Sequence, residues 1–407
     1  MWEVRSGGAD GNGGNGGAFA PGNANFATDL AATSATGTAP VVTSASYTFL
    51  SRDVGHKLFV KAGTNWKPGF YTIDSVSAGA ATLSAVASSI SATTGQYVTP
   101  AGAWQDYTTY RPGLTDGCAT TASPTGGTWG IDYSQSTTVP IAYTDIAFGA
   151  TTTNFTSAAN PAGVHLIGNM IAIASGTNFT VARYQVVSVS GTTATVDKSL
   201  GTDPGSGGTG KLGAALASPG QAGALMVGGN TLWVKAATYS VTSATANIAS
   251  GCITSPAGAS ATQMTRMIGW NSVRGDGGTK PLLQASGAIT TFVLVTVAAN
   301  GHVENVVVDG VAKTSSRGIL GVANQTTVYQ CEARNCTNGG FVNGTCIFCE
   351  ATACSTAIAM NITFGIACSS HDNTVTGMQL SNAFACVSRN NTGASSDGVV
   401  QGGSSLH

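Results

Sequence analysis

The chain has 407 residues, a formal net charge of -1, and 9% charged against 42% hydrophobic residues. That balance excludes a charge-rich disordered chain, supplies material for a core, and leaves no electrostatic footprint for nucleic acid. Gly alone accounts for 55 residues; with Ala, Ser, Thr and Val making up much of the rest and no sustained helical period, the expected class is all-β with many turns.

The opening stretch, "GGADGNGGNGG", is Gly-rich without the Gly-Lys-Ser/Thr of a phosphate loop, so it reads as a flexible arm over 1–15. It has neither the basic nor the apolar region of a secretory signal. Nothing along the chain approaches the roughly 20 apolar residues of a membrane span.

An internal repeat follows. "VGHKLFVKAGTNWKPGFYTIDSVSAGAATL" (Val54 to Leu83) aligns without a gap to "IGNMIAIASGTNFTVARYQVVSVSGTTATV" (Ile167 to Val196), at a constant offset of 113 residues. Gly55/Gly168, Gly63/Gly176, Asn65/Asn178, Tyr71/Tyr184 and Thr82/Thr195 are among the identities, and "GGAF" (Gly16 to Phe19) and "GGTW" (Gly126 to Trp129) sit at similar places upstream. Each copy reads as strand, Gly-Thr-Asn turn, strand, Ser/Gly turn, strand, with Leu58 and Val60 alternating against Phe59 and Lys61. Two tandem β-modules are therefore expected over 16–110 and 111–200, serving either as a docking or spacer unit or as a duplicated scaffold. Neither clusters His, Cys or carboxylates. "GTDPGSGGTGKLGAALASPGQAG" (Gly201 to Gly223) reads as a Gly-rich linker over 201–224.

Beyond 225 the pattern changes. Cys331, Cys349, Cys368 and Cys386 are 18, 19 and 18 residues apart. Two positions before them stand Tyr329, Ile347, Ile366 and Phe384; two after, Ala333, Ala351, Ser370 and Ser388; five after, Cys336, Cys354, Asn373 and Asn391. A repeat this short fits one coil of a parallel β-helix, whose equivalent residues stack about 4.8 Å apart. The first three columns are expected to point inward. The fourth is expected at a turn, where Asn tolerates left-handed backbone. "VENVVVDG" (Val303 to Gly310) fits an earlier coil, as do "NTLWVKAATYSV" (Asn230 to Val241) and "TRMIGW" (Thr265 to Trp270).

The column explains the cysteines as a reduced packing ladder, since a free thiol behaves as a small buried hydrophobe. Two alternatives remain at this point. Disulfides between coils have permitted Cα spacing but poorly aimed side chains. Zinc lacks a nearby His to complete a site.

The same register stacks Glu332 on Glu350, pointing outward. Two carboxylates about 5 Å apart are what a retaining glycosidase requires. Arg334 lies beside them in a column continuing through Thr352 to His371 and Arg389. The competing reading is a solvated face on which two Glu share a duplicated column. Asp309 reads as a turn residue and "RGD" (Arg274 to Asp276) as a turn before an adhesion tripeptide. Asn154 and Asn324 are sequons that a Thr-rich chain produces by accident. His56, His165, His302, His371 and His407 form no metal spacing, and no cofactor motif is present.

"SRDVGHKLFV...GFYTIDSVSAGAATLSA" (Ser51 to Ala85) resembles the segment that precedes the β-helix in many tailed-phage spike and fibre proteins. "GNTLWVKAATYSVTS...RMIGWNSVRGDGGTKP" (Gly229 to Pro281) is similar to the opening coils of pectate-lyase-like right-handed β-helix proteins. The second copy departs from the first, with Leu166-Ile167-Gly168 where Asp53-Val54-Gly55 stands, and the paired Asp and Arg/Lys of pectate lyases have no match. The resemblance implies a right-handed parallel β-helix over 225–407 and a phage-type virion structural protein: a tail fibre, tail spike or capsid-surface decoration. It further implies a homotrimer with other virion proteins and a host-surface polysaccharide as partners. Virion release by lysis reconciles an extracellular composition with the lack of a leader. The runner-up is a polysaccharide-degrading enzyme using Glu332 and Glu350. An extracellular filament-forming solenoid is third.

Overall fold

The structure, a computed structural model, describes residues 2–14, 26–32, 40–50, 53–54, 57–66, 69–83, 92–98, 133, 141–163, 166–241, 251–254, 256–258, 264–272, 276–286, 292–311, 313, 316–321, 325–392 and 399–401. Outside these lie Gly16–Phe19, Gly126–Trp129, Gly55, His56, His165, Arg274, Asn324, His407 and most of the C-terminal tail. The regular structure of the described residues is all β-strand apart from one short helix. The chain forms two compact units: residues 11–215, and a second unit made of residues 1–10 together with 216–407.

The first strand, β1 (Trp2–Val4), belongs to the second unit. In the first unit come β2 (Phe26–Ala32), β3 (Val41–Thr43), β4 (Lys57–Ala62), β5 (Gly69–Ser77), β6 (Ala80–Leu83) and β7 (Ala92–Val98), which close into a barrel in the order β2-β3-β6-β5-β4-β7. Alternation drives this. Leu30, Leu58, Val60, Ile73, Leu83 and Tyr97 are fully buried and meet in one core with Phe49 and Trp66.

Six further strands follow: β8 (Ile141–Phe148), β9 (Asn154–Phe155), β10 (Met170–Phe179), β11 (Arg183–Ser190), β12 (Thr193–Val196) and β13 (Gly201–Leu212). Their order, β8-β13-β10-β11-β12-β9, repeats that of the barrel strand for strand, with Ala147 and Thr156 bridging the two ends. The 113-residue offset extends beyond the aligned segments. Gly63 lies under Trp66 and against Gly95; Gly176 lies under Phe179 and against Gly208. Asp29 and Asp145 play the same part, each carboxylate taking a serine hydroxyl (Ser44 or Ser157) and one or two loop backbone N–H groups.

Two expectations are corrected here. The Gly-rich stretch from 201 is not a linker: residues 201–212 form β13, which pairs with β8 on one edge and β10 on the other. Gly201, Gly205, Gly208 and Gly210 are required by contact: a Cβ at Gly208, for instance, would strike both Phe179 and Ile146. Nor are residues 2–14, the described part of the expected arm over 1–15, loose chain. Trp2 and Val4 are buried, and Gly13 sits so close to the backbone of Lys211 and Gly213 that no side chain fits.

After Leu216 the chain enters α1 (Pro219–Leu225). Ser218 caps it by accepting from Gln221 N–H, with Pro219 in the first turn where its missing N–H costs nothing. The Asp10 carboxylate accepts from Ala217 N–H (3.1 Å), Ser218 N–H (2.9 Å) and Ser218 Oγ (2.8 Å), tying the chain's exit from this unit to its return.

The remaining strands stack in successive turns of three: β14 (Thr231–Lys235), β15 (Thr238–Val241), β16 (Gly251–Thr254); β17 (Thr265–Trp270), β18 (Leu282–Ala285), β19 (Phe292–Val297); β20 (Gly301–Glu304), β21 (Val307–Asp309), β22 (Ser316–Gly321); β23 (Thr327–Tyr329), β24 (Glu332–Arg334), β25 (Phe341–Val342); then β26 (Thr345–Ile347) and β27 (Glu350–Thr352). β28 (Met360–Ile366) ends one turn and begins the next, which continues through β29 (Ser369–His371) to β30 (Met378–Phe384). The last turn adds β31 (Val387–Arg389) and β32 (Val399–Gln401). All pairings are parallel, giving a strongly curled thirteen-stranded sheet and a seven-stranded sheet in the manner of a solenoid. β1 is the first rung, with Trp2 opposite Leu232 and Val4 opposite Val234. The solenoid therefore draws its first strand from residues 2–4 rather than beginning at 225, and α1 packs on β1, β14 and β16.

Candidate functional site

The corners of each turn decide which side chains face out. Gln330, Phe348, Ala367 and Ala385 all have φ between 48° and 55°, and a second corner runs through Asn335, Ala353, Asp372 and Asn390 at 52° to 55°. A left-handed residue interrupts the in–out alternation of an extended chain. Residues on either side of it thus face opposite ways instead of the same way.

Two expectations change as a result. The cysteine and Ala/Ser columns do point inward: Cys331, Cys349 and Cys368, like Ala333, Ala351 and Ser370, are buried. The Tyr329, Ile347, Ile366 and Phe384 column, two residues before the cysteines, faces outward instead. The inward residues there are Val328, Cys346 and Gly365. The Cys336, Cys354, Asn373 and Asn391 column is not at the left-handed position, which falls one residue earlier. It is buried, and Asn373 and Asn391 form an amide ladder: Cys354 N–H donates to Asn373 Oδ1 (2.7 Å), and Asn373 Nδ2 to Asn391 Oδ1 (2.7 Å). Asn391 Nδ2 in turn reaches Ser370 O and Ser388 Oγ.

The seven cysteines from Cys331 to Cys386 carry no disulfide. Six are buried, and each buried ladder thiol meets a backbone carbonyl two residues back. Burial pushes the Cys331 thiol up to about 12. The hydrogen bond with Cys349, with burial adding to it, takes Cys368 to about 12. Such thiols are neutral and inert at ordinary pH. Cys386, in the last turn, is half-exposed.

On the outward face of the seven-stranded sheet, Glu332 is the register partner of Glu350, and Asp309, Arg334, Thr352, His371 and Arg389 succeed one another in the adjoining column. Each carboxylate of the Glu pair is engaged with a basic side chain. Arg334 reaches Glu332 at 3.7 Å while its Nε bonds Asp309 Oδ2 at 2.9 Å. Glu350 takes a close contact from His371 Nε2, whose Nδ1 faces Asp372 Oδ2 at 2.8 Å. Glu350 and Asp372 together hold the His371 ring above its ordinary value. Asp309, expected at a turn, ends β21 and is buried, also accepting from Asn335 Nδ2 and Val311 N–H. Asp276 of the "RGD" stretch organises its loop through Asn271, Ser272 and Gly278 N–H groups.

The face that sequence reasoning missed lies on the first strand of each turn. One register column runs Glu3, Trp233, Ile268, Glu304, Tyr329, Ile347, Ile366, Phe384 through eight strands, buried at Glu3 and Ile268 and opening outward toward its end. Its last four rungs are uncharged. Phe384 is 61% exposed, and Phe348, at the adjacent corner, is 53% exposed with its ring edge-on to Tyr329 at 5.9 Å. Thr327, Thr345, Phe364 and Asn382 flank the stripe on one side, Phe364 itself exposed, and the Glu332–Arg334 and Glu350–His371 pairs flank it on the other. Among the described residues no group of three or more His, Cys, Asp or Glu is placed to hold a metal, and no helix is long and apolar enough to cross a membrane.

No family model matches the chain, and no curated protein matches it. Among solved structures it is similar to ORF18 of Geobacillus virus E2, at 14% identity and a TM-score of 0.20, over 40% of this chain and 32% of that one. The matched region thus spans about a third of that protein's length, and a likeness this loose bears on neither fold nor role.

Proposed function

We propose that this chain is a phage-type virion structural protein, a tail fibre, tail spike or capsid-surface decoration, in which a right-handed parallel β-helix displays an adhesive face toward host-surface glycans. The observation that carries the reading is the outward stripe of Tyr329, Ile347, Ile366 and Phe384 with Phe348 beside it. An outward apolar stripe, half-buried at Tyr329, Ile347 and Ile366 and exposed at Phe348, Phe364 and Phe384, marks an interaction surface. A stack of parallel rungs holds them rigidly in line. The sequence resemblance over Ser51 to Ala85 and Gly229 to Pro281 supplies the phage context, a homotrimeric assembly and residence in the virion.

Sedimentation of the purified chain with and without reductant, followed by binding to bacterial surface polysaccharides, tests the reading. A reductant-insensitive trimer that binds a polysaccharide, with at least tenfold weaker binding in Tyr329→Ala and Phe384→Ala, is expected. A monomer that binds none would overturn it.

The enzymatic reading has one supporting observation, the adjacency of Glu332 and Glu350. An acid and a nucleophile must each be available to the sugar, whereas here Glu332 is engaged by Arg334 and Glu350 by His371. Polysaccharide cleavage by the wild type that is lost in Glu332→Gln would restore it.

A further inference from the structure

We infer that His371 is a proton-operated clasp that fastens the last two turns of the solenoid to the turn before them. Its ring lies between two carboxylates: Nε2 on Glu350 from β27, and Nδ1 on Asp372 Oδ2 at 2.8 Å. A neutral imidazole has a single N–H, so one of these contacts would set a nitrogen lone pair against a carboxylate oxygen. Only the imidazolium satisfies both. The ring is 17% exposed, sheltered enough for the geometry to persist and open enough for protons to exchange.

The clasp sits where the turns are otherwise joined. Asp372 occupies the left-handed corner, and the next residue, Asn373, supplies the buried amide that links Cys354 below to Asn391 above. Glu350 belongs to the turn below, and His371 stands diagonally across from it, since the register sets His371 opposite Thr352 and Glu350 opposite Ser369. Protonated, the ring binds the turns from outside as the amide ladder binds them from inside.

Other charges on the face are accounted for. Arg389 on β31 is the register partner of His371 and opposes the positive ring. Farther down the column, Arg334 is taken up by Asp309 and Glu332. Ser369, Thr352 and Val387, the remaining outward neighbours on β29, β27 and β31, are uncharged. Two carboxylates in contact outweigh one guanidinium alongside, consistent with the ring titrating above its ordinary 6.5.

The sign follows from linkage. A group whose pKa is higher in the closed state stabilises that state fully below its open-state value, near 6.5, and loses this as pH rises through the closed-state value. Residues 369–392 are therefore fastened in acid and loosened in alkali.

Hydrogen exchange followed by mass spectrometry from pH 5.5 to 9.5, corrected for intrinsic rates, tests this on the full chain, alongside an NMR titration of the His371 ring. In the wild type, protection of 369–389 should fall about tenfold for every unit by which the measured ring pKa exceeds 6.5, while β14 to β18 stay unchanged. His371→Lys should hold protection through pH 9, and His371→Gln should be flat at the loosened level. A ring that titrates at or below 6.5, or wild type and His371→Gln sharing one pH profile, would overturn the proposal. The wild-type titration decides the matter even if a variant does not fold.

Discussion

Replacing Trp2 by Ala examines whether residues 2–4 really form the first rung. Trp2 is 1% exposed, sits opposite Leu232 on β14, and donates its Nε1 hydrogen to Asn230 Oδ1 at 3.1 Å. An aromatic side chain of this class buries about 150–250 Å², which at roughly 25 cal/mol per Å² amounts to about 4–6 kcal/mol. Alanine keeps its Cβ and the unfolded chain is partly compact, so the realistic loss is about 3–5 kcal/mol. The lost hydrogen bond adds about 1 kcal/mol at most, because Asn230 Oδ1 still accepts from Val227 N–H. That is a large part of the 5–15 kcal/mol typical of a domain. The effect should appear in the transition of the unit built from residues 1–10 and 216–407, and as faster hydrogen exchange at 231–235, with the barrel strands unaffected. Trp2→Phe should lose only about 1–2 kcal/mol, keeping most of the apolar area. A loss below about 1 kcal/mol for Trp2→Ala, or unchanged exchange in β14, would refute the argument.

Three other outcomes are expected. Gly176→Ala, at φ +146° and with a Cβ 2.7 Å from Gly208 Cα, should destabilise the six-stranded sheet by about 2 kcal/mol or more in thermal denaturation; a neutral result would contradict the close approach. Hydrogen bonds from Ser157, Ala159 and Ala158 hold the Asp145 carboxyl below its ordinary value, so its contribution is present above about pH 3.8 and disappears as pH falls through the lowered value. Asp145→Asn should thus lower stability at pH 7 and flatten the acid limb, and an unchanged limb would remove the carboxylate from the account. Finally, a thiol reagent applied to native protein should label Cys386 before Cys331, Cys336, Cys346, Cys349, Cys354 or Cys368, as read by peptide mapping. Equal labelling would mean the ladder is not buried as found.

Much of the architecture is written in spacing. Repeats of near-constant length stack in register, so the interval of about 18 residues between the cysteines sets Glu332 on Glu350 and aligns Arg334, Thr352, His371 and Arg389. The 113-residue duplication was legible for the same reason, as were the all-β class and the buried ladder. Direction was not. Whether Tyr329, Ile347, Ile366 and Phe384 face in or out depends on one backbone angle per turn, at Gln330, Phe348, Ala367 and Ala385, and none of those residue types announces a left-handed corner. The clasp at His371 was hidden because it runs diagonally between rungs, where side-chain reach rather than register makes the contact. Long-range closure was invisible as well. Trp2 finds β14 some 230 residues away, and the glycines at 13 and 201–212 read as loose chain because a sequence displays the absence of a side chain but not the neighbour that requires it. Local period fixes what repeats; only the folded chain, by bringing distant segments into contact, decides what those repeats face.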